Sequence, residues 1–86
     1  MVESKRRSPV QARAAVTVDA ILEAGLQLLE ADGVAALTTN RIARRAGVSV
    51  GTLYQYFDSK ADILAALAER RAQAVREEIA RTVIER

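Results

Sequence analysis

From Val18 onward, apolar side chains recur at helical spacing. Val18, Ile21, Leu22, Gly25, Leu28 and Leu29 fall on one stripe of a helical wheel, and Asp19, Glu23, Gln27 and Glu30 lie off it. A first helix is therefore expected from Thr17, a suitable N-cap with Asp19 in the first turn, to Gly33 in "ADGV", where a left-handed glycine ends the helix. Gly25 costs about 1 kcal/mol against Ala in mid-helix, and close approach by another helix is the expected reason. After the link "VAALTT", a shorter second helix should run from about Thr39 to Ala46, capped by Thr38 or Thr39, burying Ile42, Ala43 and Ala46 and ending at Gly47. Ser49 then caps a third helix of about two turns, "VGTLYQYF", before Asp58 and Ser59 interrupt. Ser59 with Asp62 has the spacing of a capping box for a last helix, running from Lys60 or Ala61 nearly to the C-terminus. Its face of Ile63, Leu64, Leu67, Ala68, Val75 and Ile79 is apolar at the start and thins afterwards, so the back half is expected to need a partner outside this chain.

Composition narrows the class. The chain has 86 residues, half of them apolar, with one Pro and four Gly, which fits a single small globular domain near the lower limit for independent folding. Alanine is the commonest residue, a helical bias. Without Cys or His, the usual metal ligands and most nucleophile and base arrangements are missing, so an enzyme, a metal site and a bound cofactor are not expected. No apolar run approaches the roughly 20 residues that span a bilayer, and the basic N-terminus lacks a signal-peptide apolar segment. These features lead to the expectation of a soluble, cytoplasmic protein.

Charge is segregated along the chain. Residues 1–16 sum to +3, residues 17–40 to −4, residues 41–60 to +3 and residues 61–86 to zero. Positive charge thus sits on residues 1–16, read as a flexible basic arm that can turn helical near Gln11, and around the third helix. A basic patch of this kind suits phosphate binding through counterion release, although a solvated face gives the same sum.

All three aromatic residues, Tyr54, Tyr56 and Phe57, fall within four consecutive positions of the third helix. Stepping by about 100° per residue puts Val50, Leu53 and Phe57 together on an inner face. Gly51, Thr52 and Gln55 point the other way, with Tyr54 and Tyr56 on the flanks. A surface built only for solubility would carry Glu and Lys there. Facing DNA, Gly51 permits close approach, Thr52 can bond a phosphate, Gln55 can read a base edge, and the tyrosines can reach phosphate or a thymine methyl. No Asp or Glu occurs from Gly33 to Phe57, a 25-residue window with three Arg.

Two short helices joined by a Gly-containing turn after a longer helix form a helix-turn-helix layout. The run from about Gln11 to Leu67 resembles the N-terminal DNA-binding domain of the tetracycline-repressor (TetR) family of bacterial regulators. The matching features lie in "ILEAGLQLLEADGVAALTTNRIARRAGVSVGTLYQYFDSKADIL": Gly33, the Thr-Thr start of the second helix, "IA" at 42 and 43, "AGVS" at 46 to 49, "GTLY" at 51 to 54, "YF" at 56 and 57, and "SK" at 59 and 60. Gly25 departs from the family's usual Ala.

The resemblance implies an all-α, homeodomain-like three-helix bundle with the start of a fourth long helix: residues 1–16 an arm, 17–60 the helix-turn-helix domain, 61–86 the fourth helix. It implies a recognition helix from Val50 to Phe57 in the major groove of a pseudo-palindromic operator, with double-stranded DNA as the partner. Val50, Gly51, Thr52, Tyr54 and Gln55 would lie near bases and phosphates, Tyr56 and Lys60 on the backbone, and Thr38, Thr39 and Asn40 at further phosphate contacts and in some members one base contact. Arg41, Arg44 and Arg45 are further candidates, although one or more of them can instead form surface ion pairs. Thr38, Thr39 and Ser49 are helix caps first, a position where a phosphate is also favoured. Lys5, Arg6 and Arg7 form either a solubilising tail or an arm into the minor groove. The expected core is Ile21, Leu22, Leu28, Leu29, Ile42, Ala43, Leu53, Phe57, Leu64 and Leu67, with Gly47 at the turn. In the family, homodimerisation and small-molecule effector binding belong to a C-terminal domain beyond this chain, and the usual outcome is repression at the bacterial nucleoid. The alternative reading is a small helical protein-interaction module that uses the apolar face of the last helix.

Overall fold

A computed structural model of the chain describes residues 8–85, and side chains as far as Ile84. Among the described residues the fold is all-α. Helix α1 spans Pro9–Asp32, a short 3-10 turn spans Val34–Ala36, α2 spans Thr39–Ala46, α3 spans Val50–Tyr56 and α4 spans Lys60–Glu85. Helix α1 packs against α2 and α4, and α3 packs against α2.

Helix α1 starts well ahead of the N-cap expected at Thr17, so the expected arm is helical from Pro9 onward rather than from near Gln11. Ser8 is the N-cap: its Oγ accepts from the Gln11 backbone N–H at 3.1 Å, and the Gln11 side-chain oxygen accepts from the Ser8 N–H at 3.0 Å. Pro9 follows at the first helical position, where its missing N–H would have had no partner. Thr17 is mid-helix, its hydroxyl donating to the Arg13 carbonyl at 3.0 Å. The Ser-Pro-x-Gln signature outweighs the polar character of the segment. Lys5, Arg6 and Arg7 lie outside the described residues.

Among the described residues, nine side chains form the core: Ile21, Leu22, Ala24 and Leu28 from α1, Leu37 from the link, Ile42 and Ala43 from α2, Leu53 from α3 and Ile63 from α4. Phe57, Leu64 and Leu67, expected inside, are partly buried and pack against this cluster. Leu29 is half-buried and stands outside it, a correction that follows from its place at the edge of the α1 stripe. Leu37 is fully buried although nothing periodic marks it, because a single apolar residue in a link carries no pattern. A β-carbon at Gly25 would sit 3.5 Å from Ile63 Cγ2 and 3.6 Å from Leu67 Cδ1, which is ordinary van der Waals contact. The neighbouring helix does not require a glycine there, contrary to the expectation of close approach.

At the start of α4, Ser59 Oγ accepts from the Asp62 N–H at 3.3 Å, while the Asp62 carboxylate accepts from Asp58 rather than from Ser59, at 3.0 Å. The expected reciprocal box is thus displaced by one residue. An Arg70–Asp19 ion pair ties α4 to α1. Beyond it the apolar positions are exposed, Val75 at 45% and Ile79 at 58%, as the thinning pattern predicts. No described helix is long and apolar enough to cross a membrane.

Candidate nucleic-acid interface

The site is built on α2, the turn after it, and α3. Thr38 caps α2 by accepting from the Arg41 N–H at 3.1 Å. Gly47 closes it in the left-handed region, at φ 79° and ψ 26°, with its N–H directed to the Ala43 and Arg44 carbonyls. Only a residue without a β-carbon enters that region without cost. Val48 N–H then bonds the Ala43 carbonyl at 3.0 Å, which completes the turn. Ser49 starts α3: its Oγ accepts from the Thr52 N–H at 3.0 Å and donates to Thr52 Oγ1 at 2.9 Å. Local capping therefore defines both ends of the turn.

Seven residues cannot hold a helix alone in water, so α3 depends on the side chains it buries. Leu53 is fully buried, and Val50 and Phe57 are half-buried against the core. Val50, expected near bases, thus also faces inward. Phe57 lies outside the helix, in extended backbone at φ −135° and ψ 131°, so α3 stops at Tyr56 rather than at Phe57. On the other side Gly51 and Gln55 are exposed, Thr52 is half-buried, and Tyr54 and Tyr56 are 47% and 37% exposed.

Tyr54 makes a contact that spacing does not reveal. Its hydroxyl shares a 2.9 Å hydrogen bond with Thr39 Oγ1, joining α3 to the first turn of α2. Two cations are braced in a similar way. Arg41 donates to the Ala36 carbonyl at 2.8 Å and to Asp32 at 3.1 Å, and Lys60 Nζ donates to the Val34 carbonyl at 3.0 Å. Both hold the link between α1 and α2, and the backbone acceptors they use leave no trace in the sequence. Arg45 Nε donates to the neutral Gln27 at 2.8 Å. Of the three α2 arginines, only Arg41 has an ion-pair partner among the described residues. Asn40 is exposed in the first turn of α2.

This surface offers hydroxyls, an amide, two phenols and peptide N–H groups, with no acid from Gly33 to Phe57. Residues 21–67, from the first buried residue of α1 to the packed start of α4, match the bacterial regulatory proteins of the tetR family. The chain belongs to this family. Its relatives include a nucleoid occlusion factor, SlmA, of Actinobacillus pleuropneumoniae, 45% identical over 56 residues, which cover 64% of this chain and 28% of the relative. The HTH-type transcriptional regulator SrpR of Pseudomonas putida is 38% identical over 60 residues, covering 70% of this chain and 28% of the relative. The tetracycline repressor protein class C of Escherichia coli is 43% identical over 51 residues, covering 59% and 23%. The tetR-family chain therefore spans about a quarter of the length of these relatives. The family match ends at Leu67, close to where α4 loses its packing partners.

Proposed function

We propose that this chain is the sequence-specific DNA-binding part of a tetR-family transcriptional regulator, with α3 as the recognition helix. The observation that carries the reading is the outer face of α3, uncharged and free of acids, bordered by two exposed tyrosines and held from behind by the buried Leu53. Gln55 reads a base edge in the major groove, Gly51 lets the backbone come close, and Thr52, Tyr56 and the first turn of α2 at Thr38, Thr39 and Asn40 contact phosphates. Ser49 caps α3 and presents its N-terminus to the same backbone. Tyr54 stands at the edge of the base-reading face while its hydroxyl is shared with Thr39.

Lys60 and Arg41 keep capacity for phosphate. An ammonium has three donors and a guanidinium five, so the observed bonds to the Val34 carbonyl, the Ala36 carbonyl and Asp32 leave protons unused. Lys5, Arg6 and Arg7 supply an arm to the adjacent minor groove. In the complete protein a C-terminal domain holds two such units on a pseudo-palindromic operator and takes the effector. Repression, without enzymatic activity, follows from occupancy of the operator in the cytoplasm.

The exposed α4 positions Val75 and Ile79 favour a second reading, a protein-interaction module. Selection of binding sites from random duplex DNA, followed by titration of the chain at several salt concentrations, separates the two. An enriched sequence and a steep loss of affinity with salt are expected. Gln55→Ala should reduce discrimination at one or two base pairs by about 1–3 kcal/mol, whereas Lys60→Ala should weaken all duplexes alike. No enriched sequence, with affinity indifferent to salt, would sink the DNA reading and leave the interaction module.

A further inference from the structure

On the flank of α2 turned toward α1 lies an open hollow of about 300 Å³ lined by Leu28, Arg41, Arg44 and Arg45. Two contacts fix which flank this is: Arg45 reaches Gln27 of α1, and Arg41 reaches Asp32 at the end of α1. The side of α2 that meets α3 is marked instead by the bond from Thr39 to Tyr54. The hollow therefore lies off the face of α3 assigned to DNA and shares only Arg41 with the proposed phosphate contacts.

Its charge is only partly compensated. Arg41 is paired with Asp32. Arg45 is held only by the neutral Gln27, whose amide nitrogen is engaged by Glu23 at 3.0 Å. Arg44 makes no hydrogen bond or ion pair through its side chain among the described residues, and no carboxylate there stands within ion-pair distance of Arg44 or Arg45. Beside these two guanidiniums lies Leu28, 6% exposed, as an apolar floor. A guanidinium presents a planar fork that matches a carboxylate through paired hydrogen bonds, and an apolar floor favours hydrocarbon over water.

We propose that this hollow binds a carboxylate carried on a short apolar body, with the carboxylate between Arg44 and Arg45 and the hydrocarbon over Leu28. A free organic acid and an acidic residue of another protein both present that chemistry, and one experiment tells them apart. The chain is titrated with sodium hexanoate, with neutral hexanamide, with the peptide acetyl-Leu-Glu-amide and with a DNA duplex, while the Leu28 methyl and arginine Nε–H signals are followed by NMR.

Both carboxylates should move the Leu28, Arg44 and Arg45 signals saturably, and hexanamide should not. Tighter binding of hexanoate assigns the free acid as the ligand type, and tighter binding of the peptide assigns a protein source. Arg44→Gln should weaken carboxylate binding by about tenfold, the loss of one charge-assisted hydrogen bond, with an unchanged thermal midpoint. Three results would overturn the proposal: no saturable shift with either carboxylate; equal shifts with hexanamide, which would mean apolar contact alone; or a duplex that moves the Arg44 and Arg45 signals and is not displaced by carboxylate, which would make the hollow a phosphate contact.

Discussion

Helices α2 and α3 are nearly equal in length, each N-capped by a hydroxyl residue, yet they are held by different forces. Helix α2 buries Ile42 and Ala43 and is tied besides through polar side chains, Arg41 to Asp32 and the Ala36 carbonyl, and Arg45 to Gln27. Helix α3 buries only Leu53 completely, carries no charge, and has one polar tie to α2, through Tyr54. The difference shows how a short helix keeps a face available. When the inner side chains and one edge hydroxyl do the fastening, the outer Gly51, Thr52 and Gln55 are left to meet something else.

Removing the inner anchor is the strongest way to break that comparison. Leu53→Ala should cost about 2–5 kcal/mol in chemical denaturation, a large part of the stability of so small a domain. Ile42→Ala should cost a similar amount. Hydrogen exchange then distinguishes the two: in the Leu53 variant the α3 amides should lose protection before those of α2, whose polar ties remain. Equal loss in both helices would show that they open as one unit.

The turn between them comes next. Gly47→Val should cost at least about 1–2 kcal/mol, because a residue with a β-carbon must occupy the left-handed region at φ 79°. Nothing lies within 4 Å of that β-carbon, so the effect is backbone strain rather than a clash. A thermal midpoint within a degree of wild type would show that the turn relaxes to another conformation.

The hydroxyl bridge is a smaller contribution. Tyr54→Phe and Thr39→Val, each alone and together, should give a coupling of about 0.5–1.5 kcal/mol in a double-mutant cycle, toward the low end because both groups meet solvent. A coupling of zero would leave α3 fastened by apolar contacts only. Smallest, and opposite in sign, is Gly25→Ala, expected to stabilise the protein by about 0.5–1 kcal/mol, since mid-helix glycine is unfavourable and the observed space accepts a methyl. A loss of stability instead would mean that α4 packs against α1 too closely to yield.

Local signals made most of the fold legible. Thr38 and Gly47 bound α2, and Ser49 opens α3, because caps and a left-handed turn act within three or four residues of themselves. The same rules were present at Ser8 and Gln11, but the surrounding polar run suggested an arm turning helical near Gln11, with the first helix capped at Thr17, instead of one helix from Pro9. Leu37 was invisible for the opposite reason: one apolar residue has no period, and its burial comes from the elements that close over it. In the candidate site the wheel separates inner from outer residues on α3, yet it has no means of showing that Tyr54 would find Thr39 or that Lys60 would find the Val34 carbonyl.

By itself the sequence determined the number of helices, the turn at Gly47, the inward Leu53 and the acid-free stretch from Gly33 to Phe57, all properties of neighbouring residues and their periodicity. Tertiary structure alone decided which cations are occupied. Arg41 and Lys60 are spent partly on backbone carbonyls of the link, while Arg44 and Arg45 meet no acid among the described residues. The physical reason is that hydrogen-bond partners are chosen by distance in space, and any carbonyl is an equally good acceptor until folding brings one within reach.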